Sequence, residues 1–184
     1  DWACPSLVDE KMPGGITCSA YRNLIGTITC NFVHERFRDV YGRRTFLFSR
    51  GNWAGMQRWA TSAYTDFYGF EQFVMSVIVQ SCSGSYYTPE IRNKETPSDI
   101  SYMRRAQMMF LTPFPMSNEW QENVCVTRRS KEVFDCYRKY NQIHYSLVPY
   151  IYSLFREQTK TGLCAVRALP FEFPDDPQVY GISD

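Results

Sequence analysis

Two charged residues stand where short apolar runs give way to polar chain. Arg50 follows FLFS, and Asp66 follows TSAYT sixteen residues later. Asp66 lies between aromatics, with Tyr64 before it and Phe67 and Tyr68 after it. Such neighbours desolvate a carboxyl group and raise its pKa, which a proton donor at neutral pH requires. Glu90, just beyond SYYTP, is a second acid of the same kind. Two carboxylates facing one pocket are the minimum for cleaving a glycosidic bond: one protonates the leaving oxygen, the other attacks or stabilises the anomeric carbon. Arg50 could hold sugar hydroxyls through its planar fork, or pair with a carboxylate and serve structure alone. The loop PFPMSNEW adds Asn118, Glu119 and Trp120. Other chemistries lack their residues. There is no GxSxG, P-loop or GxGxxG motif. The seven cysteines include no CxxC pair, and with only His34 and His144 no zinc site is legible.

The elements that must carry these residues follow from periodicity. Ser19–Val40 reads as a helix, with Ser19 as N-cap, Tyr21, Leu24, Ile25, Ile28, Phe32 and Val33 at helical spacing, and Gly42 as the stop. His34 reads as a surface or packing residue. Thr45–Phe48 reads as a buried strand and Ser62–Tyr64 as the next, with a short helix or irregular loop at Ala54–Thr61 between them. Phe70–Gln80 is helical through Phe73, Val74, Val77 and Ile78. Ser85–Thr88 is a short strand that should stop at Pro89, which has no N–H for a ladder. Pro97-Ser98 opens a helix over Asp99–Met109, and Phe110–Thr112 is a fourth, weak strand. Ser130–Thr161 is a long helical pattern ending at Gly162, with Pro149 expected to kink or divide it. His144 falls on its apolar stripe, as a satisfied core histidine would. Cys164–Phe173 reads as a last strand. Strands and helices in alternation imply a parallel sheet with right-handed crossovers. The spacing fits half of a (β/α)8 barrel, since a complete one takes about 250 residues and this chain has 184.

Composition narrows the partners. The net charge is only +1, which argues against a non-specific binder of nucleic acid or of an anionic membrane. No apolar run reaches the length of a membrane span. Aromatic residues make up 16% of the chain, which suits stacking on sugars and equally suits an aromatic core or a subunit interface. The cysteines read as free thiols and lean toward a reducing, cytoplasmic compartment. The chain begins at Asp1 with neither an initiator Met nor a signal-peptide pattern.

Over residues 43–184 the sequence resembles glycoside hydrolase family 31. SRGNWAGMQRWATSAYTD is similar to the block of that family that runs Arg-Ser, Ala-Gly, Gln-Arg-Tyr/Trp and ends on the acid/base aspartate, with no gap between Arg50 and Asp66. SGSYYTPEIR resembles its Ser-Gly-x-Pro-Tyr/Phe segment, and MRRAQMMFLTPFP its Arg-Trp-x-Gln…Phe-x-Pro segment. HYSLVPYIYSLFREQTKTGLCAVRALPFEFPDDP is close to its Arg-Tyr-x-Leu-Leu-Pro-Tyr-x-Tyr helix, Thr-Gly turn and Phe-Pro-Asp-Asp end.

The resemblance implies a retaining α-glycosidase or α-transglycosidase on a (β/α)8 TIM barrel, acting on α-linked glucosides, galactosides or xylosides by double displacement. Asp66 would be the acid/base, and Arg50 would bind the sugar whose bond is cleaved. Glu90 falls where the family has a substrate-binding Asp, Asn118 near a sugar-binding His, and Trp120 joins them as a substrate-binding candidate. Asp1 is the early candidate for the nucleophile. No metal or organic cofactor is implied. The sequence departs from the pattern at Thr65, where the family has Gly, at Ala63, where it has Trp, and at Arg92-Asn93, which replace Gly-Gly-Phe. TPEIR and YTDFY resemble a divergent branch. Residues 1–184 would form about strands five to eight of one catalytic domain. The upstream half-barrel and flanking β-domains lie outside this stretch, so the chain is expected to belong to a longer polypeptide or to pair with a partner chain. Two other readings stand beside the enzyme: a catalytically silent carbohydrate-binding or scaffold protein of the same fold, and an unrelated small α/β protein.

Overall fold

The computed structural model describes residues 10–49, 55–62, 69–84, 90–91, 98–117 and 125–182. These fall into two compact units, Asp1–Ala63 and Tyr64–Asp184.

In the first unit, α1 spans Cys18–Tyr41. Its N-cap is Thr17 rather than Ser19: the Thr17 hydroxyl accepts from the Ala20 N–H at 3.2 Å. A cap needs extended backbone, and Thr17 has it, whereas Ser19 already lies inside the helix. Gly42 ends α1 with φ 63°, its N–H donating to the Arg38 carbonyl at 2.8 Å. That left-handed turn is where glycine avoids a Cβ penalty. Strand β1 is Phe48–Ser49 and β2 is Thr61–Ser62, paired in parallel as Phe48↔Thr61 and Ser49↔Ser62. Between them, among the described residues, Met56–Arg58 forms one 3₁₀ turn where a short helix or an irregular loop was expected. Met56 and Ala60 close on Cys30 of α1, with Leu47 and Trp59 around them.

Two expectations fail in this unit. The strand expected to be buried at Thr45–Phe48 pairs only from Phe48 onward, and Phe46 and Phe48 are exposed. The α1 face that is covered runs through Cys18, Gly26 and Cys30. The apolar stripe Leu24, Ile28 and Phe32 lies outward, with Phe32 69% exposed. Periodicity finds a stripe but does not say what covers it.

In the second unit, α2 (Phe70–Cys82), β3 (Glu90–Ile91), α3 (Asp99–Phe110), β4 (Met116–Ser117) and α4 (Lys131–Thr161) follow in order. Strands β3 and β4 pair in parallel, Glu90↔Met116 and Ile91↔Ser117, around the α3 crossover. Ser98 caps α3: its hydroxyl accepts from the Ser101 N–H at 3.2 Å, and its own N–H donates to Ser101 Oγ at 3.1 Å. The core here is Phe73, Ile91, Tyr102, Ala106, Met109, Phe110 and Val133. Phe110 meets Tyr137 of α4 edge-on, with ring centroids 4.8 Å apart. His144 faces the same α3 end, its Nδ1 2.9 Å from the Phe110 carbonyl oxygen, and so is the satisfied histidine its position on the stripe implied.

The strand positions differ from the expectations. Pairing occurs at Glu90–Ile91, after Pro89; the expected strand at Ser85–Thr88 lies outside the described residues. Phe110–Thr112 is not a strand, because Phe110 finishes α3 and Thr112 turns back on it, its Oγ1 donating to the Met109 carbonyl at 2.6 Å. The strand comes later, at Met116–Ser117. Cys164–Phe173 is not a strand either. Leu169–Glu172 is a short helix, α5, with Pro170 in its first turn. The residues before α5 are held by side chains: the Cys164 thiol donates to the Ser81 carbonyl at 2.6 Å, and the Ser81 hydroxyl donates to the Val166 carbonyl. Apolar content alone could not separate these cases, since short apolar runs suit both strands and helix ends.

Pro149 does not divide α4, which is continuous over its whole length. The acceptor deprived of its helical donor is the Tyr145 carbonyl, and Tyr145 is 71% exposed. Water can serve that oxygen, so the interruption costs less than it would on a buried face. No helix among the described residues is long and apolar enough to cross a membrane. Six of the cysteines lie among the described residues, and of these Cys18, Cys30 and Cys164 are buried.

Candidate functional site

The parallel pairs define where site residues leave the sheet. In the first unit β1 and β2 run in register, so the chain leaves Ser49 and Ser62 at the same end. Arg50 is the next residue after β1, and Asp66 comes shortly after β2 in the sequence. In the second unit β3 and β4 do the same. Glu90 is the first residue of β3, and Asn118 is the next residue after β4. Carboxyl ends of parallel strands are where α/β folds build their sites, because the strand-to-helix loops collect there. Asp66, Arg50, Asn118, Trp120 and Asp1 themselves lie outside the described residues. Glu90 is described through its backbone pairing with Met116.

The described residues show how the strand ends are held. At the end of β1, Ser49 hydrogen-bonds the Cys30 thiol. Burial pushes that thiol above the ordinary 9.0, and the Ser49 bond partly offsets the rise. Before β2, Gly55 takes φ 101°, and its N–H donates to the Gln57 side-chain oxygen at 2.9 Å. This turn feeds Met56 into the Cys30 cluster.

In the second unit the loop leaving β3 ends at the N-cap of α3, and the loop leaving β4 ends at the N-cap of α4. These two ends are joined. The Ser130 hydroxyl donates to Asp99 Oδ2 at 2.6 Å and accepts from the Val133 N–H at 3.4 Å. Arg129 reaches Asp99 Oδ1 at 3.4 Å. Its guanidinium lies 4.3 Å from the ring centroid of Tyr102, which is fully buried. The helix caps were legible from Ser98 and Ser130. The link between them was not, because its partners lie thirty residues apart in sequence.

Among the described residues no group of His, Cys, Asp and Glu side chains could hold a metal ion. His34 is half-buried on α1, and its Nδ1 has no partner among the described residues.

Strands paired in parallel around a helical crossover, with the following helices in sequence, are units of a (β/α)8 barrel. The structure superposes on known barrels of this kind. It matches a family 31 dextranase of Flavobacterium johnsoniae, solved with glucose, at a TM-score of 0.81 and 22% identity, over 96% of this chain and 24% of that one. It matches the cycloalternan-forming enzyme of Listeria monocytogenes, solved with a pentasaccharide substrate, at a TM-score of 0.76 and 16% identity, over 96% of this chain and 18% of that one. The fold is therefore the TIM barrel, of which this chain is a part.

The family follows from the sequence comparison. The profile of the glycosyl hydrolases family 31 TIM-barrel domain matches residues 3–154, and the chain belongs to that family. Among its relatives, an α-glucosidase of Aspergillus niger is 28% identical over 169 residues, covering 86% of this chain and 17% of the relative. α-Glucosidase 2 of Bacillus thermoamyloliquefaciens is 27% identical over 156 residues, covering 78% of this chain and 19% of the relative. The chain thus spans about a fifth of the length of these relatives.

Proposed function

We propose that this chain supplies about strands five to eight of the catalytic barrel of a retaining α-glycoside hydrolase or transglycosidase, with Asp66 as its acid/base. The observation that carries the reading is the pairing of β1 with β2, which lead in sequence to Arg50 and Asp66, within a match to the family's barrel domain. The names of the relatives, α-glucosidases and a dextranase, favour an α-linked glucose unit as the sugar.

The reaction takes two steps. A carboxylate, Asp1 or one preceding it, attacks the anomeric carbon while Asp66 gives its proton to the leaving oxygen. A covalent glycosyl-enzyme forms, and the leaving group departs as an alcohol. Asp66, now a carboxylate, takes a proton from water or from a second sugar hydroxyl, which attacks the same carbon and releases the nucleophile. Arg50, Glu90, Asn118 and Trp120 hold the sugar by hydrogen bonds and stacking. The rest of the barrel comes from the same longer chain or from a partner chain.

Asp66→Asn in the full-length protein tests the assignment. Removing a general acid costs about 10²–10⁴-fold where the leaving group needs its proton. Turnover of maltose should fall by that factor, whereas formation of the glycosyl-enzyme from an activated aryl α-glucoside should be nearly unaffected. Equal losses on both substrates would remove Asp66 from the acid/base role. A wild-type protein that binds maltose and cleaves neither substrate would be the silent carbohydrate-binding form of this fold.

A further inference from the structure

We infer that Cys82 and Cys164 form a reversible disulfide that ties the C-terminal end of α2 to the chain leaving α4. A small disulfide oxidant such as glutathione disulfide closes it, and thiols open it. Neither residue is among those read as catalytic or sugar-binding, so the pair stands or falls apart from that reading.

Cys82 is the last residue of α2, and Cys164 lies just beyond Gly162, the stop of α4. The structure holds both as thiols. The Cys164 thiol donates to the Ser81 carbonyl at 2.6 Å. Covalent geometry puts that oxygen about 2.8 Å from the Cα of Cys82, so the Cys164 sulfur lies within about 5.4 Å of that Cα. A disulfide holds each sulfur about 3.5–4.5 Å from its partner's Cα, so closure takes a shift of at most about 2 Å. The shift falls at the last turn of a helix, where local opening is easiest.

The two segments are already held together around the pair. Ser81, one residue before Cys82, donates its hydroxyl to the Val166 carbonyl, two residues beyond Cys164. Gln158 of α4 donates through Nε2 to the Gly84 carbonyl and to the Cys164 sulfur, each at 3.5 Å. Cross-linking ends that are already placed adds little native-state strain. Oxidation removes the proton that Cys164 gives to Ser81. The Ser81 carbonyl keeps the Gly84 N–H at 2.9 Å, and the sulfur keeps the Gln158 donor, so both retain a partner.

Access sets the order of the exchange. Cys82 is exposed, whereas Cys164 is only 7% exposed. Cys82, as a thiolate, attacks one sulfur of glutathione disulfide. The S–S bond of the oxidant breaks, and one glutathione leaves and takes up a proton. Cys164, as a thiolate, then attacks the Cys82 sulfur of the mixed disulfide and expels the second glutathione in the same way. Two electrons and the two thiol protons pass to glutathione, and one protein S–S bond forms.

The test uses the full-length protein in glutathione buffers from fully reduced to fully oxidised, followed by alkylation, digestion and peptide mass mapping. In the wild type the peptides carrying Cys82 and Cys164 should appear joined, two hydrogens lighter than their sum, and dithiothreitol should separate them. Cys164→Ser, whose hydroxyl can still donate to Ser81, should hold glutathione on Cys82. Cys82→Ser should leave Cys164 as a thiol. Amide exchange of residues 79–84 and 163–168 should be about tenfold slower or more in oxidised than in reduced wild type, and equal in the two buffers for Cys82→Ser. Cys82 and Cys164 unlinked in fully oxidised buffer would overturn the pair, as would Cys82 joined to a different cysteine or a link found only between two molecules. A link that leaves the exchange unchanged would overturn the tie between α2 and the chain leaving α4.

Discussion

At the scale of single residues, the sequence offers candidates by residue type but does not show their environments. Asp66 and Arg50 stand out in the sequence as an acid among aromatics and an arginine after an apolar run, and both lie outside the described residues. Nothing in the sequence marks Cys30, yet it lies under Ser49 and against Met56 and Ala60. Its thiol is held neutral to higher pH than an ordinary thiol, mainly by burial. Cys136 is shifted the same way by burial, with Glu132 adding to the rise and Lys139 opposing it. The sign of the consequence is fixed by proton linkage. Above the ordinary value of 9.0 the unfolded thiol loses its proton while the folded one keeps it. The contribution of Cys30 is therefore complete below that pH and is lost as pH rises toward its folded value. Urea unfolding of the wild type should show a midpoint that falls steadily above about pH 9. Cys30→Ala should be less stable at neutral pH but lose less over the same alkaline interval. Parallel pH curves for the two proteins would show that Cys30 is not the group responsible.

At the scale of elements, caps and stops followed the local rules wherever their partners lie within one turn. Ser98, Ser130, Gly42 and Gly162 all perform the roles their types suggest. The two misplaced strands, Phe110–Thr112 and Cys164–Phe173, share a cause. Both are apolar runs at a helix boundary in which a backbone group is taken by a non-strand partner, the Thr112 N–H by the Met109 carbonyl in one case and the Val166 carbonyl by the Ser81 hydroxyl in the other. The helices of the second unit depend on one another through their shared core. Phe73 of α2 is fully buried in the cluster that α3 and α4 complete, and the Arg105 guanidinium lies 4.6 Å from its ring centroid. Phe73→Ala leaves a cavity and removes the aromatic face under that cation, so unfolding free energy should drop by about 3–5 kcal/mol. Equilibrium denaturation of the full-length protein measures this directly. A loss below about 1 kcal/mol would mean that α2 is not part of the cooperative core.

At the scale of the whole molecule, much apolar surface stays outside. Leu24, Ile28 and Phe32 on α1 and Tyr145, Val148 and Tyr152 on α4 are exposed along helical stripes. Stripes of that kind are covered in a complete barrel by neighbouring helices. Residues 1–184 expressed alone should therefore self-associate and bind a hydrophobic dye. Sedimentation should give species heavier than 21.6 kDa. Supplying the rest of the barrel should reverse both effects, and a monodisperse, dye-silent monomer would contradict the reading. The sequence by itself determined the family and much of the helix placement, because motif spacing and helix caps are short-range properties of the chain. Only the tertiary structure decided which side of α1 is covered, where the two-residue strands pair, and that Asp99 meets Arg129 and Ser130. Each of these depends on partners far apart in sequence, and local propensity carries no information about which distant group will arrive to satisfy a hydrogen bond or cover an apolar face.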